Sequence, residues 1–173
     1  AFVIGCDPTF QYRENYIAYI LRAFDKRFAD GLIADGVEWA SKNDFDYACI
    51  QFRAAMQIDP ENANAYYCYG RACKDAYELG EEEEFVGRFK AESLEAFEIA
   101  TLKDPKLAEA YYFLGYAYVN MGLYVKAKLT WEEYLKLTEG RAEAGMEDLR
   151  KEIRGRLTQL AEPVKIEEAY NLV

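Results

Sequence analysis

The chain has 173 residues, 51% hydrophobic and 16% aromatic, which is enough for one domain with a sizeable core and excludes a disordered chain. Its 31 acidic against 21 basic residues leave a net charge of -10, which repels phosphate backbones, so nucleic-acid binding is not expected. There is no histidine, so the commonest metal ligand and general base is missing, and no stretch approaches the roughly 20 apolar residues that span a bilayer.

Residues 1–10, AFVIGCDPTF, are apolar and closed by Pro8, and they read as an extended lead-in. Val3-Ile4-Gly5-Cys6 resembles the lipobox of bacterial lipoproteins, which would anchor the chain at Cys6. The apolar and basic segments that precede a lipobox are not in these residues, so a buried N-terminal segment is the expectation. From Gln11 to Phe28 a helical stripe follows, formed by Tyr12, Tyr16, Ile17, Ile20, Leu21, Phe24 and Phe28. Its expected job is to cover the exposed end of what comes next.

Three helical hairpins are predicted after it. The first occupies 29–62, with Leu32, Gly36 and Trp39, a turn at Lys42-Asn43-Asp44, then Ala48, Phe52 and Ala55 before Asp59-Pro60. The second occupies 63–107, with Tyr66, Tyr69, Gly70 and Cys73, then Ser93, Phe97 and Ala100. Its middle carries Glu81, Glu82, Glu83 and Glu84, read as a solvated acidic tip, with docking of a basic partner as the alternative. Phe85 and Phe89 are expected to pack against Tyr77 in this tip. The third occupies 108–141, with Tyr111, Leu114, Gly115 and Tyr118, a turn at Gly122, then Tyr124, Ala127 and Trp131.

These hairpins are copies. Gly36, Gly70 and Gly115 are spaced 34 and then 45 residues apart, whereas Ala48, Ser93 and Ala127, like Phe52, Phe97 and Trp131, are spaced 45 and then 34. Both series fit one arrangement: three 34-residue repeats, with 11 extra residues inside the second between Cys73 and Ser93. Both helices of that hairpin should therefore be lengthened by a turn or two. From Met146, the residues Leu149, Ile153, Leu157 and Leu160 recur every three or four positions, an amphipathic capping helix that Pro163 should stop. Residues 164–173 are a short final helix or a tail. The cluster Arg150, Lys151, Arg154 and Arg156 alternates with acidic residues and reads as a solvated face.

The order bulky-x2-Leu-Gly-x2-Tyr, a tight turn and Ala-x3-aromatic closely resembles the tetratricopeptide repeat. The resemblance implies an all-α, right-handed tetratricopeptide superhelix of three hairpins, flanked by an N-terminal helix and a C-terminal capping helix, as one domain over 1–173. In that family the first helices line a concave groove, and the fifth and ninth residues of each repeat point into it. Carried over, these are Ile33 and Val37, Tyr67 and Arg71, Tyr112 and Tyr116, with Lys74 and Asn120 one turn on. The family's two-carboxylate clamp for chaperone C-termini needs Lys and Asn at the first pair. Ile33 and Val37 stand there instead, which argues against a chaperone-tail adaptor, and both are expected beneath the N-terminal helix.

The groove residues then implied are Tyr67, Arg71, Lys74, Tyr112, Tyr116 and Asn120, with aromatic contact area and two cations for a peptide of a partner protein. Packing of Tyr112 and Tyr116 on the next helix is the competing reading. The expected function is a non-catalytic protein–protein interaction module. No paired carboxylates in an apolar setting, nucleophile–base arrangement or Gly-rich phosphate loop supports an enzyme, and no cofactor is expected. Self-association is the alternative, and the chain also resembles the translocator chaperones of type III secretion, from which its elongated second repeat departs. Cys6, Cys49, Cys68 and Cys73 form no CxxC pair and read as reduced thiols, which suits the cytoplasm.

Overall fold

Spacing of small residues along each helix pair decides how closely the pair can pack, and three pairs share one device. An added Cβ at Gly36 would lie 2.5 Å from the Phe52 ring, at Gly70 2.8 Å from the Phe97 ring, and at Gly115 2.1 Å from Trp131. Each glycine therefore gives its space to the aromatic residue of the partner helix, and Phe52, Phe97 and Trp131 are each 1% exposed.

The computed structural model describes residues 1–80 and 82–170. In chain order its helices are α1 (Phe2–Cys6), α2 (Arg13–Phe24), α3 (Phe28–Ser41), α4 (Phe45–Ile58), α5 (Ala63–Leu79), α6 (Glu83–Lys103), α7 (Ala108–Asn120), α8 (Tyr124–Leu137), α9 (Met146–Gln159) and α10 (Ala161–Tyr170). They fall into two units, residues 1–104 and the part beginning at Pro105. Among the described residues no helix is long and apolar enough to cross a membrane.

In the first unit α3 pairs with α4 and α5 with α6. The α3–α4 turn closes on Asn43, whose φ of 61° is the left-handed conformation that asparagine tolerates, and the Asp44 carboxylate then accepts from Tyr47 N at 3.1 Å to cap α4. Asn62 caps α5 in the same way through Ala65 N. Ser93 stands where the other hairpins have alanine, and its buried hydroxyl donates to the Gly70 carbonyl at 2.9 Å.

The eleven extra residues divide in a telling way. α5 has 17 residues against 13 in α7, and α6 has 21 against 14 in α8, while three residues join the helices in each hairpin. The surplus is four and seven, close to one and two whole turns at 3.6 residues per turn. The apolar stripes thus stay in phase along the extension. Phe85 and Phe89 stack at 4.6 Å, and Tyr77 and Phe85 both pack against the unit's core.

The N-terminal segment departs from expectation twice. Residues 2–6 are helical rather than extended, and α1 lies on α4 rather than along the first helices of the hairpins. Ile4 is fully buried, Gly5 abuts the Ile50 carbonyl, Arg53 Nε donates to the Gly5 carbonyl at 2.8 Å and Gln57 donates to that of Ile4. α2, expected to be the cover, packs Ile17 and Ile20 against the unit's core but leaves Tyr16, Tyr19 and Phe24, with Tyr12 just before it, at 45–66% exposure. Tyrosine tolerates this because its hydroxyl stays wet.

In the second unit α7 pairs with α8, and Gly122 at φ +73° ends α7 while Leu123 N donates back to the Tyr118 carbonyl at 2.9 Å. α9 buries Met146 and Ile153, with Leu160 buried just past its end, while Leu149 of the expected stripe is exposed and Leu157 half-buried. Pro163 does not stop it. The chain breaks at Leu160, and Pro163 falls in the first turn of α10, where its missing N–H has no helical partner to lose. Arg150 also departs from the solvated-face reading: its Nη1 donates to the Leu135 carbonyl and to Thr138 Oγ1 at 2.6 Å, and its side chain is 14% exposed.

Candidate functional site

In the first unit, helical spacing puts Tyr67, Arg71 and Lys74 on one face of α5 because Ala65, Tyr69, Gly70, Ala72, Cys73 and Ala76 take the other face into the core. Arg71 is exposed and its Nη1 donates to the Tyr67 hydroxyl at 3.3 Å, while the half-buried Tyr67 ring leans toward Phe97 with centroids 6.3 Å apart. Lys74 is engaged by Glu78 at 2.7 Å and Asp75 at 3.7 Å. The chemistry is an aromatic face carrying a guanidinium, suited to a carboxylate or a peptide carbonyl. Behind it, burial first, then the neighbouring Cys73 and the Glu92 carboxylate drive the Tyr69 phenol far above its usual range, and its hydroxyl donates to Glu92 Oε2 at 2.5 Å.

Of the preceding pair, Ile33 is buried at 6% exposure, but Val37 is 49% exposed. The expectation that both lie covered holds at Ile33 and fails at Val37.

In the second unit Tyr112 and Tyr116 share one face of α7, with Asn120 exposed at its last residue. Their rings meet edge to face at 5.3 Å, and Tyr116 sets its edge on Trp131 at 4.9 Å. Trp131 Nε1 donates to the Tyr112 carbonyl at 3.1 Å, fixing the indole. The Tyr116 hydroxyl donates to Glu152, the Tyr112 hydroxyl reaches the same carboxylate at 3.4 Å, and the Arg156 guanidinium lies 5.7 Å from the Tyr116 ring centre. Burial, then the bond to Glu152, pushes the Tyr116 phenol well above its usual value. Both tyrosines are thus half-buried with their hydroxyls turned to α9. Sequence reasoning put Arg156 on a solvated face and gave Glu152 no part in this surface. They flank the buried Ile153 at helical spacing, and that pattern was the available signal.

At the acidic tip, Glu82, Glu83 and Glu84 are exposed at the start of α6, where carboxylates complement the helix dipole; Glu81 lies outside the described residues.

No protein-family model matches the sequence, and no curated protein matches it. Solved structures do. The chain is similar to the Yersinia enterocolitica type III secretion translocator chaperone SycD, with 10% identity over 88% of this chain and 93% of that one and a TM-score of 0.67. It is similar to PcrH, solved in complex with the chaperone-binding region of PopD, with 14% identity over 81% and 96% and a TM-score of 0.65. It is also similar to the Sgt2 tetratricopeptide domain from Aspergillus fumigatus, with 22% identity over 83% and 82% and a TM-score of 0.58. These likenesses show the fold alone: the described residues have the all-α helical-hairpin architecture of tetratricopeptide-repeat domains.

Proposed function

We propose that this chain is a non-catalytic interaction module that holds a peptide segment of a partner protein against the first helices of its hairpins. The observation that carries the reading is the Tyr67–Arg71 pair, an aromatic face and a guanidinium together on the outward face of α5. Lys74 extends this surface, and Tyr112, Tyr116 and Asn120 form the corresponding surface on α7, where a ligand meets the Glu152 carboxylate as well. The complex of PcrH with a PopD segment is a precedent for a peptide ligand on this fold. Four cysteines carried as thiols fit a working place in the cytoplasm. The test is a pull-down from native lysate with wild type and a Tyr67→Ala/Arg71→Ala variant. A partner captured by wild type and lost by the variant supports the reading, and a partner retained in full by the variant refutes it.

A second reading, self-association, is favoured by one observation: Tyr16, Tyr19 and Phe24 on α2, with Tyr12 just before it, are exposed aromatic residues. Sedimentation velocity from micromolar to near-millimolar protein tests it, and a monomer throughout that range removes it.

A further inference from the structure

The lengthened α5–α6 hairpin and the α3–α4 turn border a cleft of about 490 Å³ within the first unit, inside the size range of ligand pockets. Its apolar surface comes from Phe45 on one wall and from Leu79 and Phe85 on the other. Phe85 is held in place: it stacks on Phe89 at 4.6 Å, and an added Cβ at Gly80 would stand 2.8 Å from its ring. Leu79, the last residue of α5, is 68% exposed. None of these residues belongs to the Tyr67, Arg71 and Lys74 surface.

Acidic groups outnumber basic ones around the cleft. Asp44 and Asp46 line it, and Glu82, Glu83 and Glu84 stand exposed beside Leu79 and Phe85 in the chain. Lys42 is the one cation among the described lining residues, and it is committed to Glu38 at 2.6 Å and to the Trp39 ring at 4.8 Å. Arg88 on α6 is likewise held over the Phe89 ring at 4.8 Å and faces Glu92 at 3.7 Å. A cleft of mixed lining that sets Phe45, Leu79 and Phe85 beside Asp44 and Asp46 suits a ligand that offers one apolar side chain with basic residues next to it.

We propose that this cleft docks a short basic amphipathic segment of a partner protein. A large apolar side chain of that segment sits among Phe45, Leu79 and Phe85, and flanking lysine or arginine residues face Asp46 and Glu82–Glu84. The rim charges speed encounter and make binding fall with salt, while the buried side chain sets specificity.

The probe is a fluorescein-labelled peptide, KKALRKFLKRAK, followed by fluorescence anisotropy with the full chain. Wild type is expected to bind it with a Kd below about 100 μM at low salt, a modest value for one anchoring side chain. Binding should weaken at least about fivefold in Leu79→Ser, and by a similar factor in Glu82→Gln/Glu83→Gln/Glu84→Gln. The exposure of Leu79 means that Leu79→Ser should keep the fold, which circular dichroism checks. The Tyr67→Ala/Arg71→Ala variant should bind as wild type does, which separates this site from the surface of the proposed function. The proposal is overturned if the peptide does not bind at about 1 mM, if Leu79→Ser binds equally well, or if an equally charged peptide with serine at its Phe and Leu positions binds as tightly. Loss of binding in Tyr67→Ala/Arg71→Ala alone also overturns it.

Discussion

Gly115→Ala exchanges one hydrogen for a methyl group at the closest helix approach in the second unit. The new carbon would lie 2.1 Å from Trp131 Nε1, 2.3 Å from Cδ1 and 2.5 Å from Cε2. The indole cannot yield cheaply: it is 1% exposed, lies against Tyr116 at 4.9 Å and donates to the Tyr112 carbonyl at 3.1 Å. Overpacking of this kind costs about 1–3 kcal/mol, and displacing the indole hydrogen bond about 1 kcal/mol more. Better helix propensity returns roughly 1 kcal/mol. The net expectation is a loss of about 2 kcal/mol, or roughly 4–8 °C in Tm for a chain of this size, read by circular dichroism. Gly155→Ala is the control, because no atom lies within 4 Å of its added Cβ, and it should stabilise by about 0.5–1 kcal/mol. If Gly115→Ala matches wild type in stability, the account of the hairpins as glycine–aromatic locks is wrong.

Three further outcomes follow from the same structure. Gly5→Ala should lift α1 from α4, because its Cβ would stand 2.1 Å from the Ile50 carbonyl oxygen, a backbone atom; faster amide exchange over residues 4–7 is expected, and unchanged exchange contradicts it. Thr138→Val keeps the shape but removes the acceptor of Arg150 Nη1 and the donor to the Tyr134 carbonyl at a fully buried site, so urea denaturation should show a loss of about 1–3 kcal/mol. With Ellman's reagent at pH 8 the exposed Cys6 should react first, while Cys49 and Cys73 stay protected until unfolding. Burial pushes the Cys68 thiol up to about 11, so its rate should climb about tenfold per pH unit toward that value, and fast labelling of Cys68 at pH 8 would count against this environment.

The parts of the fold legible in the sequence are those set by short, local rules. Gly36, Gly70 and Gly115 could be matched to Phe52, Phe97 and Trp131 because each series recurs at 34 and 45 residues in opposite order, and the surplus in the second hairpin followed from counting. α1 escaped notice because five residues with one glycine carry no helical period; it is held by tertiary contacts to Ile50, Arg53 and Gln57. The periodic stripe of α2 is met in part: Ile17 and Ile20 pack on the core while Tyr12, Tyr16, Leu21 and Phe24 stay exposed, since periodicity does not say how much of a stripe finds a partner. Pro163 was read as a stop although a proline in a first turn loses nothing. At the candidate site the residues of α5 and α7 could be named from spacing alone. Their environments could not, because the Glu152 carboxylate comes from a helix 40 residues away from Tyr112, and no local pattern sets that meeting.

The division of the eleven surplus residues into four and seven has a consequence for how such a chain can change in length. An insertion of arbitrary size in one helix would rotate every later side chain off the shared face. Paired additions of nearly whole turns leave the base of the hairpin undisturbed, with Gly70 still on Phe97 and Ser93 still on the Gly70 carbonyl. The tip is therefore an adjustable arm on a fixed hinge. Excising residues 76–79 and 83–89 together would return both helices to the lengths of α7 and α8, removing Leu79 and Phe85 while sparing the locks below them.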